Sequence, residues 1–439
     1  MTILENVRII GFYPGSVSSA LDLAIEGPLI VDAGEHLASK YPEAQREEVG
    51  LYVSAGLVCS HNHFYSMLAR GLTVAITPSK DFTQQLANLW WRLDRAIDEK
   101  ILLSCALAGA AEAAMCGVTS VVDHHASPSF IEGSLDMLMQ GFETVGLRGI
   151  LCYETTDRNG SAGAKAGVKE NMRFAKALDA KRAKGEDPLL EGAIGAHAPF
   201  TVGEDTLAAL AAACTETKRG LHIHAGEDRY DAVDSRYRYG CDLAVRLDRA
   251  GLLDQKTILA HGLYLSRDEV DLVNDRECFL AHNAKSNMNN TVGYNDHLPL
   301  YKNAVLGTDG IGSDMIGEAM LAFFKHRDQG GPLWMDSFLR MMQNGNTLLE
   351  RYFTGKKFGS VQPGFQADLT FWDYDPPTPL LGENLAGHAA FGLSSRMVRS
   401  TMVAGKYVVK NRIPLFDSKS IMADGREQTV RLWKNMEAL

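Results

Sequence analysis

The sequence predicts an α/β protein, in which residues 57–359 form a (β/α)8 TIM barrel and residues 1–56 and 360–439 together form a small β-sandwich domain. Three observations predict this fold. Eight short apolar runs each end on a polar residue, longer helical segments separate them, and strand-like pieces with turn residues flank them. Strands that alternate with helices form parallel sheets, and eight such units close into a barrel.

The eight predicted strands are rich in β-branched or otherwise apolar residues. Barrel enzymes carry their active sites at the carboxyl ends of the strands, so the His, Asp and Glu residues at these ends predict a site at the barrel mouth. The strands are Leu57–His61, Thr119–Asp123, Gly149–Glu154, Glu191–His197, Gly220–His224, Lys256–His261, Cys278–His282 and Ala304–Asp309.

The flanking segments have a different pattern. Short strand-like pieces at Val7–Ile10 and Leu23–Ile25 alternate with turn residues near one end of the chain, and similar pieces at Ala367–Trp372 and Arg396–Val403 lie near the other. The sequence Val361–Gly364 contains Pro-Gly and marks the return from helix to strand. The two ends therefore predict one joint β domain.

Composition excludes several function classes. The net charge is −10, so we expect no nucleic-acid partner, because affinity for phosphate backbones comes from Lys and Arg. The seven cysteines are scattered without a C-x-x-C pair, which argues against a cysteine-type zinc site and favours a cytoplasmic protein. No signal segment is recognised, and the apolar run Ile101–Val122 contains Glu112, which predicts a buried helix and strand and no membrane partner.

The strongest local signal is His61-Asn62-His63. Residues i and i+2 of a strand point to the same face, so both imidazoles would enter the barrel mouth, and imidazole binds zinc, iron and nickel. Two hydrogen-bonded core histidines are the alternative. Ten of the thirteen histidines lie between His61 and His297, most at predicted strand ends, and this concentration favours a metal site.

Eight stretches, taken in order and including His61-Asn62-His63, are similar to the amidohydrolase superfamily and in particular to its chlorohydrolase/aminohydrolase branch. The resemblance runs over nearly the whole chain. The matching stretches are Ala55–Phe64, Gly117–Asp123, Gly195–Val202, His222–Glu227, Leu259–Gly262, Ala281–Asn287, Leu306–Gly310 and Pro363–Leu369.

The resemblance implies a single divalent metal ion, Zn²⁺ by default and Fe²⁺ or Mn²⁺ as alternatives. Its ligands would be His61, His63, His224 and Asp309, a set that suits a catalytic metal with one open water position. Relatives with two metals carry a modified lysine at the end of strand 4, where this chain has His197. His222 is expected to lie behind the ligands, although it could exchange places with His224.

The same resemblance assigns the catalytic roles. Asp309 takes a proton from the water that the metal activates, and Glu227 carries a proton to the ring nitrogen of the substrate. His261 holds the attacking oxygen and stabilises the developing oxyanion. A solvated loop carboxylate is the alternative for Glu227, and a core histidine is the alternative for His261.

Three residues are candidates for binding substrate. Trp91 could stack on a flat heterocycle, or pack in a helix core. Arg158 could bind a substrate carboxylate or carbonyl, or pair with Asp157 or Glu154 at the surface. His197 could contact substrate, with a structural hydrogen bond as the alternative.

These residues predict a metal-dependent aminohydrolase that removes an exocyclic amine from a purine- or pterin-like heterocycle and releases ammonia. Hydrolysis of a cyclic amide or of a chloro-heterocycle by the same site is the second hypothesis, and a non-catalytic barrel scaffold is the third. Analogy with the family suggests a homodimer.

Overall fold

The computed structural model describes all 439 residues and contains a barrel, which two groups of strands flank in the sequence. The strands β1 to β18 are Thr2–Gly11, Ser16–Glu26, Leu29–Gly34, Gln45–Glu48, Tyr52–Ala55, Leu57–Asn62, Val118–His125, Arg148–Tyr153, Leu190–Gly192, Ile194–Ala196, Leu221–Ala225, Ile258–His261, Phe279–His282, Ala304–Leu306, Leu369–Trp372, Val398–Val403, Lys406–Lys410 and Ile413–Pro414.

Fifteen α-helices connect or flank these strands. The helices α1 to α15 are Leu37–Lys40, Phe82–Gln85, Trp91–Arg95, Glu99–Met115, Ser134–Val145, Gly160–Ala183, Glu204–Thr217, Arg229–Tyr239, Leu243–Arg249, Arg267–Asp275, Ala284–Asn289, Met315–Asp328, Met335–Tyr352, Leu385–Phe391 and Ser418–Glu437.

The strands from both ends of the chain form one nine-stranded sheet, as predicted. Its order is β18-β17-β16-β15-β5-β1-β2-β3, and β4 also pairs with β1. The two ends of the chain meet where β15 runs antiparallel to β5, with Leu369 opposite Ala55. Tyr407 and Lys410 both contact Glu47, so the far end of the sheet folds back over β4 and encloses an apolar core.

All eight predicted barrel strands are present and parallel. Strand β6 is the first, β14 is the eighth, and the fourth is divided into β9 and β10. A parallel bridge between Asn62 and Asp309 joins β6 to the exit of β14, and a bridge between Thr155 and Ala196 joins the exit of β8 to β10, so the barrel is closed. Every residue of β6, β7 and β8 is buried, because helices cover the outside of the barrel.

The apolar run at residues 101–122 forms the buried helix and strand that the sequence predicts. Helix α4 begins after Asp98, whose carboxylate accepts a hydrogen bond from the Ile101 amide as an N-cap. The chain then turns and continues as β7. In the whole structure, no helix is both long enough and apolar enough to cross a membrane.

The sequence analysis did not anticipate helix α15. It packs against α4 and against the segment that follows β6. The Trp433 indole donates to the Leu68 carbonyl, and the Asn435 amide donates to the Ala96 carbonyl. Its buried residues Ile421, Leu432 and Met436 lie on one face, at intervals that a search for helical periodicity would have found.

Candidate active site

The four predicted metal ligands converge at the carboxyl ends of the barrel strands. His63 Nε2 lies 3.1 Å from His224 Nε2 and 2.8 Å from Asp309 Oδ1. His61 Nε2 lies 3.7 Å from the same Asp309 oxygen. The four side chains come from β6, β11 and the exit of β14, so three separate parts of the sequence meet at one point.

Each of the three imidazoles is held through its other ring nitrogen. His61 Nδ1 lies 2.9 Å from His222 Nε2, and His224 Nδ1 lies 2.8 Å from the His197 carbonyl oxygen. His63 Nδ1 donates to the His124 carbonyl. These contacts keep the three Nε2 atoms directed at the shared point, which is how proteins orient metal-binding histidines.

The donor set fits a divalent metal ion. Ligands about 2.05 Å from a tetrahedral zinc ion would lie about 3.3 Å from one another. The measured separations of 2.8 to 3.7 Å bracket that value. His61 Nε2 is buried without a hydrogen-bond partner, which is unfavourable unless a ligand binds there.

Glu227 and His261 lie beside the ligand cluster. The carboxylate of Glu227 is 3.5 Å from His261 Nε2, and His261 Nε2 is 3.8 Å from Asp309 Oδ2. Burial and then the charge of Asp309 raise the pKa of Glu227 well above its usual range, and the hydrogen bond from Asn290 acts in the opposite direction. The Glu227 side chain is 13% exposed, so it is a mostly buried carboxyl group at the edge of the cleft and not a solvated loop carboxylate.

The backbone is strained at two of these residues. His261 has φ of 76° and Asp309 has φ of 53°, in the left-handed region that residues other than glycine rarely adopt. Such conformations cost on the order of 1 kcal/mol or more and concentrate at functional sites. The barrel holds both residues there because they sit at strand exits with fixed partners, such as Asn287 Oδ1, which accepts from His261 Nδ1 at 2.8 Å.

The three predicted substrate-binding residues line the same cleft. His197 Nδ1 lies 2.9 Å from the Thr201 hydroxyl, and burial, followed by Arg158, lowers the pKa of its imidazole to about 3. The Arg158 guanidinium lies 4.5 Å from the centroid of the Trp91 ring. The expected alternative for Arg158 was wrong about the partner, because it pairs with Asp94 at 2.9 Å and not with Asp157 or Glu154.

Several residues of the site were assigned no metal-binding or catalytic role from the sequence. Glu154 Oε1 lies 3.3 Å from His63 Nδ1 and 3.2 Å from His124 Nδ1. Ser286 donates to Asp309 Oδ2 at 2.5 Å. Glu154 follows β8 and His124 lies near the end of β7, so their positions at strand exits were the available signal.

The cleft above the ligands contains about 790 Å³ of space between atoms, including space that is open to solvent. One wall is the segment of residues 81–95, which we call the cap segment. It consists of α2, a π-helical turn at Leu86–Trp90, and α3. The cap-segment residues that line the cleft are Phe82, Thr83, Leu86, Trp90, Trp91 and Asp94.

Comparison with known proteins identifies the family. The model of the Amidohydrolase family matches residues 52–408. The chain belongs to the amidohydrolase family. Among the relatives of this amidohydrolase is a 5-methylthioadenosine/S-adenosylhomocysteine deaminase of Thermococcus sibiricus, 27% identical over 88% of this chain and 89% of its own. Another is a 5'-deoxyadenosine deaminase of Methanopyrus kandleri, 26% identical over 85% of each chain.

Solved structures share the fold of this amidohydrolase. An adenosine deaminase from Xanthomonas campestris with bound zinc has a TM-score of 0.83 at 20% identity, over 99% of this chain and 98% of its own. Atrazine chlorohydrolase from Arthrobacter aurescens, complexed with zinc, has a TM-score of 0.81 at 21% identity, over 98% of this chain and 100% of its own. The predicted barrel with its terminal β domain is confirmed, and so is the predicted class, a hydrolase of the amidohydrolase family.

Proposed function

We propose that this amidohydrolase removes an exocyclic amino group from a purine- or pterin-like heterocycle and releases ammonia. The observation that carries the proposal is the meeting of four metal-ligand side chains with Glu227 and His261 at one end of a single cleft. The curated relatives support the substrate class, since both are named as deaminases of adenine nucleosides or their derivatives.

We propose His61, His63, His224 and Asp309 as ligands of one metal ion, with Zn²⁺ favoured over Fe²⁺ and Mn²⁺. Such an ion lowers the pKa of water and polarises the bond under attack. The proposal of one ion rests on the end of strand 4, where His197 stands and no lysine is available to bridge a second ion. The zinc bound in both structural neighbours agrees with the choice of metal.

Glu227 is the proposed proton carrier. Burial raises the pKa of Glu227 and so favours the protonated carboxyl, which can donate to the ring nitrogen next to the attacked carbon. The water oxygen bonds to that carbon while Asp309 takes the water proton. Asp309 then gives this proton to the amine as the C–N bond breaks and ammonia leaves. The remaining hydroxyl proton returns to Glu227, which restores its carboxyl group and leaves a carbonyl group on the ring.

His261 is the proposed partner of the attacking water. Its Nδ1 donates to Asn287, so the neutral ring presents the Nε2 lone pair to the cleft. In this tautomer, His261 accepts a hydrogen bond from the water. His261 must first take up a proton before it can stabilise the negative charge that develops on the substrate.

The test combines metal analysis with an ammonia assay. The purified protein is loaded with zinc and offered adenosine, 5'-deoxyadenosine, 5'-methylthioadenosine, guanine and pterin. We expect ammonia from at least one amino-heterocycle, and we expect Glu227→Gln to lower kcat by about 10² to 10⁴-fold while zinc stays bound. Glu132→Gln changes an exposed carboxylate and is the matched control.

The outcome distinguishes the hypotheses. Bound zinc with no ammonia from any amino-heterocycle would reject the aminohydrolase and leave the cyclic-amide or chloro-heterocycle hydrolase. A Glu227→Gln variant that is as active as the wild type would reject the proposed proton carrier. The homodimer and the cytoplasmic location remain predictions.

A further inference from the structure

The cap segment reaches the catalytic residues through one side chain, Asn290. Gln85 of the cap segment donates from Nε2 to Asn290 Oδ1 at 3.0 Å. Asn290 Nδ2 in turn lies 3.4 Å from Glu227 Oε1 and 3.3 Å from the Ser286 hydroxyl. Ser286 donates to Asp309, so the amide of Asn290 connects the cap segment to both groups that are proposed to move protons.

The other contacts of the cap segment do not reach these groups. Phe82 and Leu86 pack on Leu263 and Val292 in a small apolar cluster apart from the main core. Arg92 donates to the carbonyls of Ala75 and Met436, away from the ligands. The Gln85–Asn290 hydrogen bond is the one hydrogen bond between the cap segment and a side chain that touches Glu227 or Asp309.

The planar amide of Asn290 faces the cap segment with its oxygen and Glu227 with its nitrogen. Its oxygen accepts from Gln85 and from Asn289, whose Nδ2 lies at 3.2 Å, while its nitrogen faces Glu227. Oxygen and nitrogen are fixed at opposite corners of one plane, so holding the oxygen toward the cap segment also aims the N–H groups at the carboxylate. Asn290 is only 5% exposed, so neighbouring atoms restrict its rotation.

We propose that Asn290 is a positioning residue that couples closure of the cap segment to the orientation of Glu227. The inference rests on the proposed function, in which Glu227 carries the proton. A heterocycle bound against Trp91 holds the cap segment closed, Gln85 then fixes Asn290, and Asn290 holds Glu227 in its working position. Proton transfer is thereby favoured when the cleft is occupied, because small errors in position cost much rate.

The experiment compares two variants of the cap segment in zinc-loaded protein. Gln85→Leu removes the donor to Asn290 at similar size. Asn88→Ala is the matched control, because Asn88 lies on the same segment but donates to Thr77 and Ser79. Hydrogen–deuterium exchange is followed in peptides that cover residues 81–95 and 225–232, and kcat and KM are measured with the heterocycle that releases ammonia.

We expect both variants to exchange faster over residues 81–95, and only Gln85→Leu to exchange faster over residues 225–232. We also expect Gln85→Leu to lower kcat about 10-fold with little change in KM. The double variant Gln85→Leu/Asn290→Ala should lose no more activity than Asn290→Ala alone, because both changes break the same connection.

Unchanged hydrogen–deuterium exchange at residues 225–232 in Gln85→Leu would overturn the coupling. The same changes in exchange and kcat in Asn88→Ala would also overturn it. Losses that multiply in the double variant would also reject it. If the wild type releases no ammonia from any heterocycle, the proposed function fails, while the exchange comparison still decides whether the cap segment and the Glu227 region are coupled.

Discussion

The two ends of the cleft are built in different ways. The ligand end rests on parallel strands whose residues are all buried, such as the six residues of β6 and the five of β11. The cap segment is made of two short helices and a π-helical turn, and many of its residues are exposed or half-buried. Backbone ladders position the ligands, whereas a few side-chain contacts position the cap segment.

This difference separates the residues proposed for metal binding and catalysis from the residues proposed for substrate recognition. Backbone ladders fix His61 and His224 relative to each other, because the first and the fifth strand of one closed barrel carry them. The cap segment can change its sequence or shift without disturbing that ladder. We therefore expect changes at the ligand end to abolish metal binding and turnover, and changes in the cap-segment residues that line the cleft to alter mainly substrate binding, whereas Gln85 acts through Asn290.

The largest effect should come from His63, which lies closest to the other ligands. We expect His63→Ala to lose its zinc and to lower ammonia release at least about 1,000-fold, because the loss of metal removes several kcal/mol of transition-state stabilisation. Metal content by mass spectrometry and the ammonia assay check both. His388→Ala is the control, because it changes a histidine that is hydrogen-bonded to Tyr374 and is not a predicted ligand. Full zinc content in His63→Ala would contradict the ligand assignment.

His222 tests whether the ligand end depends on the residues behind the ligands. His222→Leu removes the partner of His61 Nδ1 and should weaken zinc binding about 10- to 100-fold. His222→Gln can still offer an acceptor and should retain more of the affinity. Competition with a zinc-binding dye measures both, and equal affinity in Leu and Gln variants would show that the hydrogen bond does not contribute.

Trp91 tests the opposite end. Trp91→Ala should raise KM about 5-fold and leave kcat nearly unchanged, since an aromatic face contributes about 1 kcal/mol to stacking. Trp91→Phe should restore part of the loss. Steady-state kinetics distinguish this from the alternative, in which kcat falls and KM does not. Trp334→Ala, at an exposed tryptophan, controls for nonspecific effects.

The smallest expected effect is a change in the free energy of unfolding, and it comes from Glu318 at the ligand end. Burial raises the pKa of Glu318 to about 7 from 4.5, because removal from water disfavours the charged carboxylate more than its hydrogen bond from the Lys285 amide favours it. The folded state therefore binds this proton more tightly than the unfolded state. The stability that the group contributes is complete below pH about 4.5 and is lost as the pH rises through about 7.

Glu318→Gln removes this titration. Its free energy of unfolding, relative to the wild type, should rise between pH 5 and pH 8 by up to about 3 kcal/mol. Thermal unfolding at the two pH values measures the change. If the free energies of unfolding of variant and wild type differ by the same amount at both pH values, Glu318 does not titrate in this range.

The strands and the ligand cluster were predictable because they depend on local pattern. Each barrel strand is an apolar run with a polar end, and the i, i+2 spacing of His61 and His63 fixes their common face without knowledge of any other contact. The rule that barrel sites collect at strand exits places His224 and Asp309 at the barrel mouth, and the family resemblance selected them as predicted metal ligands. The family resemblance then supplied the order and the roles.

The cap segment was not predictable in the same way. Its structure depends on pairs of side chains that are far apart in sequence, such as Asp94 with Arg158 and Gln85 with Asn290. No periodicity signals such a pair, and this is why the prediction gave Arg158 the wrong surface partners. Helix α15 differs, since its apolar spacing was visible in the sequence and was overlooked.

The pairing of β5 with β15 has a consequence for synthesis of the chain. Strand β5 leaves the ribosome early, whereas its neighbour β15 begins at Leu369, after every strand of the barrel has been made. At about 5 to 20 residues per second, the edge of β5 waits roughly 15 to 60 s for its partner. During that time an unpaired strand edge is open to the wrong neighbour. The growing chain therefore depends on whatever protects that edge until the last sixth of the protein arrives.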